Sequence, residues 1–404
     1  MTASSVHPRI VDWADRETGM EKRGILDGKV SLVACGGYGR EAVESAVGRA
    51  CELLGGVEGM VGDARSVFIK SNAVFAALPD SGIVTNPEVV RAVVMEFQKV
   101  AEHVTIGDSP GGPFNKAMLK RVYERTGLED VARDTGAELA FDTRTVDLSF
   151  PGGEVIKRLK LCRAMIEAEC LVSVAKFKSH RFMNVTGPIK NLYGTVPGTT
   201  KLAYHSRFDG EREFADLVVD IHLAAEPDFH VLDAVDVIDG DGSRRGSVRK
   251  MGVIAAGANA FALESLVLRL AGLEPSDSKP LQAAIRRGLC PGGADWFEIL
   301  GDSEDALRFG GFRLPSENLF SEHTLAKISG RMSRYFAATP YPLPGVCTMC
   351  AKCVDICPRG AISLGSRAAE VDLRRCIRCF CCDELCESKA ISVRRPLLGR
   401  IFKG

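Results

Sequence analysis

The chain lacks an excess of charge of either sign: 52 Lys and Arg face 52 Asp and Glu among 404 residues, a formal net charge of zero. Such balance excludes a global field that would draw in nucleic acid or an anionic membrane. No nucleic-acid partner is expected, and any anion site has to be local. Long apolar runs are missing as well, since none approaches the roughly 20 residues that a membrane helix requires. Met1 to Lys29 form a polar extension of both charge signs, without the apolar core of a secretory signal, so no membrane span is expected. Aromatic residues are sparse at 7%, whereas hydrophobic residues at 46% and charged ones at 26% are ordinary for a globular chain. The length suits two or three domains.

Cysteine, by contrast, is plentiful, with 14 in the chain. Cys347, Cys350, Cys353 and Cys357 repeat the spacing C-x2-C-x2-C-x3-C, and Cys376, Cys379, Cys382 and Cys386 repeat it again. Three thiolates two residues apart on a tightly wound loop reach three iron corners of one cubane, and the fourth falls too far along the following turn. Paired C-x2-C spacings also suit tetrahedral zinc, although a third Cys at the same step in both halves argues for iron and sulfide. Cys381 is surplus to both quartets and reads as a small buried hydrophobe. Cys35, Cys51, Cys162, Cys170 and Cys290 are scattered without a pairing pattern, so disulfides are not expected. Thiolate ligands have to stay reduced, which points to a cytoplasmic location.

From the Pro344 region to about Val393 the chain resembles the bacterial two-cluster ferredoxins. That resemblance implies a small α+β domain over residues 344–393 holding two 4Fe-4S clusters with crossed ligands. Cluster one would use Cys347, Cys350, Cys353 and Cys386; cluster two would use Cys376, Cys379, Cys382 and Cys357. Pro358 fits the pattern, while Glu387 stands where a second Pro is usual. Ala361 and Ile362, with their equivalents Ala390 and Ile391, would form the apolar walls of the clusters.

Residues 30–309 carry a different signal, strands alternating with helices. Val30 to Cys35 is β-rich and is followed by Gly36-Gly37-Tyr38-Gly39 and a helical spacing from Arg40 to Leu54. Gly37-x-Gly39-x-x-Ala42 meets the loose dinucleotide fingerprint, but the acidic ribose partner about 20 residues on is absent, and the stretch reads as a plain βα turn. Thr85-Asn86-Pro87-Glu88 opens a further helix with a capping side chain, an early Pro and an acid near the positive end. A strand from His103 to Ile106 runs into Gly107-Asp108. The alternation predicts an α/β fold, a mainly parallel sheet with helices on both faces, whose ligands bind beyond the carboxyl ends of the strands. Lys70 and Asp108 stand at two such ends.

Cys170 to Ala175 is an apolar strand, and Lys176, Lys178 and His180 follow on alternate positions, hence on one face if the strand continues. A helix beginning near Pro188, with Thr186 as its cap, and flanked by Lys190 and Asn191, would complete an anion site. The competing reading is a solvated basic edge strand. Pro197 to Lys201 reads as a loop and His205 as a surface histidine; Asp239-Gly240-Asp241-Gly242 reads as a turn, lacking the later Glu of a calcium loop. Residues 310–343 form a linker around a helix near Glu322 to Tyr335, and 394–404 a basic tail.

Ile69-Lys70-Ser71-Asn72, Gly107-Asp108-Ser109-Pro110-Gly111-Gly112, Lys176-Phe177-Lys178-Ser179-His180, Thr186-Gly187-Pro188-Ile189-Lys190-Asn191 and Leu232-Asp233-Ala234-Val235 together resemble domain-of-unknown-function family 362, many of whose members carry an attached ferredoxin domain. A Pro is usual there at Ser71, and an Asp near Asn259 or Leu263; both departures bear on the substrate. The resemblance implies a redox role without a settled reaction. The expected function is an iron-sulfur oxidoreductase that passes single electrons to a small anionic substrate near Lys70, Asp108, Lys176, Lys178, His180, Lys190 and Asn191, with His180 delivering the proton. A redox partner protein would supply or accept the electrons. The alternative is an electron-transfer accessory protein whose α/β domain docks a partner enzyme.

Overall fold

The computed structural model describes residues 28–242, 245–293, 296–315 and 339–394. The larger body is built on strands β1 (Lys29–Ala34), β2 (Ser66–Lys70), β3 (His103–Gly107), β4 (Glu138–Leu139), β5 (Thr145–Ser149), β6 (Arg158–Cys162), β7 (Cys170–His180), β8 (Asn184–Thr186), β9 (Phe229–Asp239), β10 (Ser247–Gly257) and β11 (Glu298–Gly301). Nine of them form one sheet in the order β11-β1-β10-β9-β7-β2-β3-β4, with β8 on the end of β7; β5 and β6 pair as a separate hairpin. The pairs from β9 through β7, β2 and β3 to β4 are parallel, as is β1 with β11. Strand β10 runs antiparallel to both its neighbours.

Alternate side chains along each strand feed two cores, as a sheet buried on both faces requires. Val67, Ile69, Val172, Val174 and Val231 pack beneath α1 (Arg40–Leu53), α2 (Pro87–Phe97), α3 (Lys116–Thr126) and α4 (Leu128–Thr135). Phe68, Leu171, Ala175, Phe177 and Leu232 face the other layer. That layer comprises the short α5 (Pro188–Asn191), then α6 (Gly198–Arg207), α7 (Glu211–Ala225), α8 (Ala260–Ala271) and α9 (Lys279–Arg286). Helix α2 begins as its sequence predicts, with the Asn86 side chain accepting a hydrogen bond from the Glu88 amide at 2.9 Å. The body is thus α/β with a mostly parallel central sheet.

Several sequence expectations change here. Strand β1 and β2 are separated by β10, β9 and β7, so the glycines before α1 do not join neighbouring parallel strands as a dinucleotide site requires. Strand β7 is buried along its whole length and sits between β9 and β2, which rules out a basic edge. Gly198 to Arg207 is a helix, so the stretch predicted as a loop begins a turn of α6. The acidic turn after β9 is structural: Asp239 accepts from Arg249 at 2.8 Å and from Arg313 at 2.7 Å.

The cysteine-rich unit has internal symmetry. Strand β12 (Thr339–Pro342) pairs antiparallel with β15 (Ile391–Arg394), and β13 (Ile362–Leu364) with β14 (Ala369–Val371). One short helix follows each cysteine loop, α10 (Lys352–Asp355) and α11 (Cys381–Glu384). The β12–β15 pairing carries this unit's sheet back to Thr339, before the Pro344 region where the sequence likeness starts. The helix expected near Glu322 to Tyr335 and the tail beyond Arg394 lie outside the described residues.

Candidate functional site

Where the carboxyl ends of β2, β3 and β7 meet, the chain encloses a cavity of about 110 Å³. Its wall from the body includes Lys70, Asn72, Asp108, Lys178, His180, Lys190, Asn191, Tyr193 and Lys201, and the cysteine-rich unit adds Ile356, Cys381, Glu384 and Leu385. Four lysines therefore face two carboxylates, a local positive excess in a chain with none overall.

Lys70 ends β2, 1% exposed, and donates to Asp108 Oδ1 at 3.0 Å, Asn191 Oδ1 at 2.9 Å and its neighbour's Ser71 carbonyl at 2.6 Å. Burial lowers its pKa, and Asp108 works against the shift. Asp108 also accepts from the Ala73 and Ser109 amides at 2.7 and 2.8 Å, so it is a pinned counter-charge. Asn191 donates to Ser173 Oγ at 2.9 Å. Gly194 closes over this group, and a Cβ there would lie 2.4 Å from both Lys70 Nζ and Asp108 Oδ1. Only glycine fits.

Lys178 donates to Asn72 Oδ1 at 3.1 Å and to the Ile83 carbonyl. Burial first, and then the Lys190 charge, push its pKa down to about 7. Lys201, absent from the sequence-derived set because its segment read as a loop, reaches Ser109 Oγ at 3.2 Å, and burial brings it down to about 8. Lys190 lies over the Tyr193 ring at 6.0 Å. Burial lowers its pKa while Glu384 opposes the change. Each shift reports a cation whose solvation the site has removed without full replacement, the condition that favours an added anion.

His180 and Lys176 do not play the expected parts. His180 Nδ1 accepts from the Met183 and Phe182 amides at 3.0 and 3.2 Å, which fixes the proton on Nε2, and Nε2 donates to Glu384 Oε1 at 2.7 Å. Both ring nitrogens are engaged, and burial holds its pKa near 4, so His180 orients Glu384 and has no proton aimed at the cavity. Lys176 lies outside the cavity wall. Its ammonium meets Asp233 Oδ2 at 2.9 Å and the Tyr38 hydroxyl at 2.6 Å. Tyr38 in turn donates to Asp233 Oδ1 at 2.8 Å. A register shift between Lys176 and Lys178 in the β7–β9 pairing separates the two lysines.

The helix terminus expected to hold an anion is also spoken for. Helix α5 spans four residues with Gly187, not Thr186, at its start, and the Ile189 amide donates to buried Glu264 at 3.2 Å. His205 is not a surface group: its ring stacks on Phe214 at 4.2 Å between centroids, and its Nδ1 is buried.

The two cysteine loops have matching backbones. Met349 and Ala351 flank Cys350 with φ of 56° and 61°, and Arg378 and Phe380 flank Cys379 with φ of 59° and 57°. A left-handed non-glycine residue costs roughly 1–2 kcal/mol, so each loop holds two conformations that something must repay. The Ala361 amide donates to Cys357 Sγ at 3.1 Å and the Ala390 amide to Cys386 Sγ at 3.2 Å. Burial lifts the Cys353 thiol to about 11, helped by the adjacent sulfurs of Cys386, Cys347 and Cys350. Cys376 is raised by burial and then by Cys379, with Cys357 also contributing. Thiols of the two loops thus lie near enough to influence one another, Cys353 with Cys386 and Cys376 with Cys357, and sulfurs with amide support are a donor set of the kind that iron-sulfur clusters take. Ile362 and Ile391 are buried against Cys353, Cys357, Cys382 and Cys386.

Ion pairs fix this unit on the body: Asp383 faces Arg181 at 3.3 Å and Arg245 at 3.5 Å, and Arg359 meets Asp209 at 3.1 Å. Leu202 of α6 packs with Ile356, Cys379, Cys381 and Leu385. Cys381 is buried as predicted, and its place in the cavity wall is the part that spacing did not disclose.

An α/β body whose cation-lined cavity is closed by a cysteine-rich appendage defines the class. Residues 67–269 match the model of Domain of unknown function (DUF362), and the chain belongs to that family. It is 29% identical over 273 residues to a thylakoid-associated protein of Synechocystis sp., covering 66% of this chain and 81% of that relative. Among solved structures, the lactate racemase apoprotein from Thermoanaerobacterium thermosaccharolyticum aligns with 17% identity and a TM-score of 0.38, covering 60% of this chain and 57% of its own. A Thermotoga maritima protein from a structural genomics programme aligns with 9% identity and a TM-score of 0.32, covering 61% and 59%. The chain thus spans less than two thirds of either solved structure, and likenesses of that size carry no argument about its activity. Among the described residues no helix is long and apolar enough to cross a membrane.

Proposed function

We propose that the protein is an iron-sulfur oxidoreductase that passes single electrons through two 4Fe-4S clusters to a small anionic substrate in the lysine-lined cavity. One observation carries the reading: Cys381, Glu384 and Leu385, from the segment holding Cys379, Cys382 and Cys386, line the same cavity as Lys70, Lys178, Lys190 and Lys201. Cluster two would be held by Cys376, Cys379, Cys382 and Cys357, cluster one by Cys347, Cys350, Cys353 and Cys386; bound there, the clusters would supply electrons one at a time. Cys379 is buried and Cys350 is exposed, so a redox partner protein would exchange electrons on the cluster-one side. The accessory-protein alternative calls for a docking surface, whereas these lysines line a recessed pocket. The reduced thiols this chemistry needs fit a cytoplasmic setting.

Within the cavity, Lys190 and Lys201 would hold the anion, Lys70 with Asp108 and Asn191 would fix the floor, and the lysine charges would stabilise negative charge that develops on reduction. Oxalate titrated into the dithionite-reduced protein should shift the paramagnetic signal of one cluster. Lys178, near 7, and Lys201, near 8, are cationic only below those values. Oxalate affinity should accordingly be fullest below pH 7 and fall as pH rises through 7 to 8, by up to about tenfold per pH unit for each lysine that must be charged. An oxalate response that is absent, or that is flat with pH and survives Lys190→Ala, would remove the cavity from the reaction.

A further inference from the structure

The nitrogen of Lys178 has neutral acceptors alone in an almost wholly buried place, whereas Lys201, whose two acceptors are both on Ser109, is less buried. Lys178 is 2% exposed, comes from the continuous strand β7, and has two acceptors, Asn72 Oδ1 and the Ile83 carbonyl. A neutral amine has two N–H bonds and one lone pair. Those two acceptors take both hydrogens, which leaves the lone pair as the nitrogen's remaining valence at the cavity wall it helps to form. Lys70, by comparison, faces three acceptors including the Asp108 carboxylate, an arrangement suited to an ammonium. The charges around Lys178 agree, because Lys190 and Lys176 lower its pKa after burial and only Glu384 and Asp108 oppose them.

We propose that Lys178 is the reactive amine of the site and takes a small oxo-carboxylate as an imine, with Lys190 and Lys201 holding the carboxylate. This rests on the anionic-substrate reading and names the substrate class within it. In the step, the Lys178 nitrogen forms a bond to the carbonyl carbon, the carbonyl oxygen leaves as water, and no electrons change hands. Reduction of the C=N bond itself would leave the product attached to the enzyme. The substrate is therefore an unsaturated oxo-carboxylate: two electrons, supplied singly by the proposed clusters, and two protons from solvent would saturate its C=C bond conjugated with the imine, and hydrolysis by one water returns the amine and releases the saturated oxo-carboxylate. The desolvated pocket and neighbouring cations are the two devices that keep a lysine neutral and nucleophilic near pH 7.

The test uses the intact protein with its metal content as purified without oxygen, incubated with glyoxylate and cyanoborohydride near neutral pH and then digested for peptide mass analysis. Lys178 should carry the carboxymethyl group at least about tenfold faster than any surface lysine, because its amine is largely free where ordinary lysines, with pKa about 10.4, are not. Oxalate should protect it, and Lys190→Ala should slow the labelling without moving it to another residue. Labelling spread evenly over surface lysines, or reaching Lys190 or Lys201 before Lys178, would overturn the assignment. Iron counted on the same sample separates the two ideas: an iron-replete protein without the label sinks the imine alone, and a labelled protein devoid of iron sinks the redox reading alone.

Discussion

Replacing Lys176 with Met is expected to destabilise the body by about 3–5 kcal/mol, the effect of stripping one partner from a buried ion pair. Lys176 and Asp233 are 1% and 0% exposed. The substitution would leave the Asp233 carboxylate buried with only the Tyr38 hydroxyl and the Asn86 and Val235 amides. Changing Asp233 to Asn in the same protein should recover part of the loss, since an amide oxygen in the Oδ1 place still accepts from the Tyr38 hydroxyl and the Val235 amide without carrying a charge, while its NH2 group then faces the Asn86 amide. Urea unfolding followed by circular dichroism would read both variants. An undiminished midpoint for Lys176→Met, together with lost oxalate binding, would return Lys176 to the cavity and contradict the geometry.

Replacing Cys357 with Ala should eliminate the oxalate-sensitive cluster while sparing the other. The crossed scheme predicts this because Cys357, though it follows Cys347, Cys350 and Cys353 in sequence, belongs with Cys376, Cys379 and Cys382. The reciprocal variant, Cys386→Ala, should spare the sensitive signal and lose the insensitive one. Iron content should fall by about half in each, or by less where a three-iron remnant survives. Loss of the opposite signal in each variant would mean that each half of the repeat wraps its own cluster.

Much of this arrangement was legible in the chain, for physical reasons. The cysteine spacing encodes a donor set directly, and the apolar runs that end at Lys70 and Asp108 place those residues at strand carboxyl ends, where parallel sheets put their ligands. Lys178 was legible as the continuation of the apolar strand from Cys170, and Lys190 and Asn191 through the helix expected near Pro188, although that helix spans only four residues. Period-two alternation also puts Lys176 and Lys178 on one face of a regular strand, but it is silent about partners and about the register shift between them. Only the fold reveals that Asp233 and Tyr38 claim the first lysine. Glu384 and Cys381 reach the cavity from roughly 200 residues away in the chain, as the unit's docking dictates, and no local pattern announces such a contact. Lys201 could have been found: Pro197 followed by apolar or aromatic residues at Leu202, His205 and Phe208 has the step of a helix, with a Pro near its start. His205 was misread because a lone histidine gives no signal of the Phe214 ring that stacks on it.

The most direct measurement is iron and inorganic sulfide per chain in protein purified without oxygen, with Mössbauer spectra of the same sample. The account predicts about eight of each, as two cubanes. A colourless preparation, or one with zinc in place of iron, would contradict it.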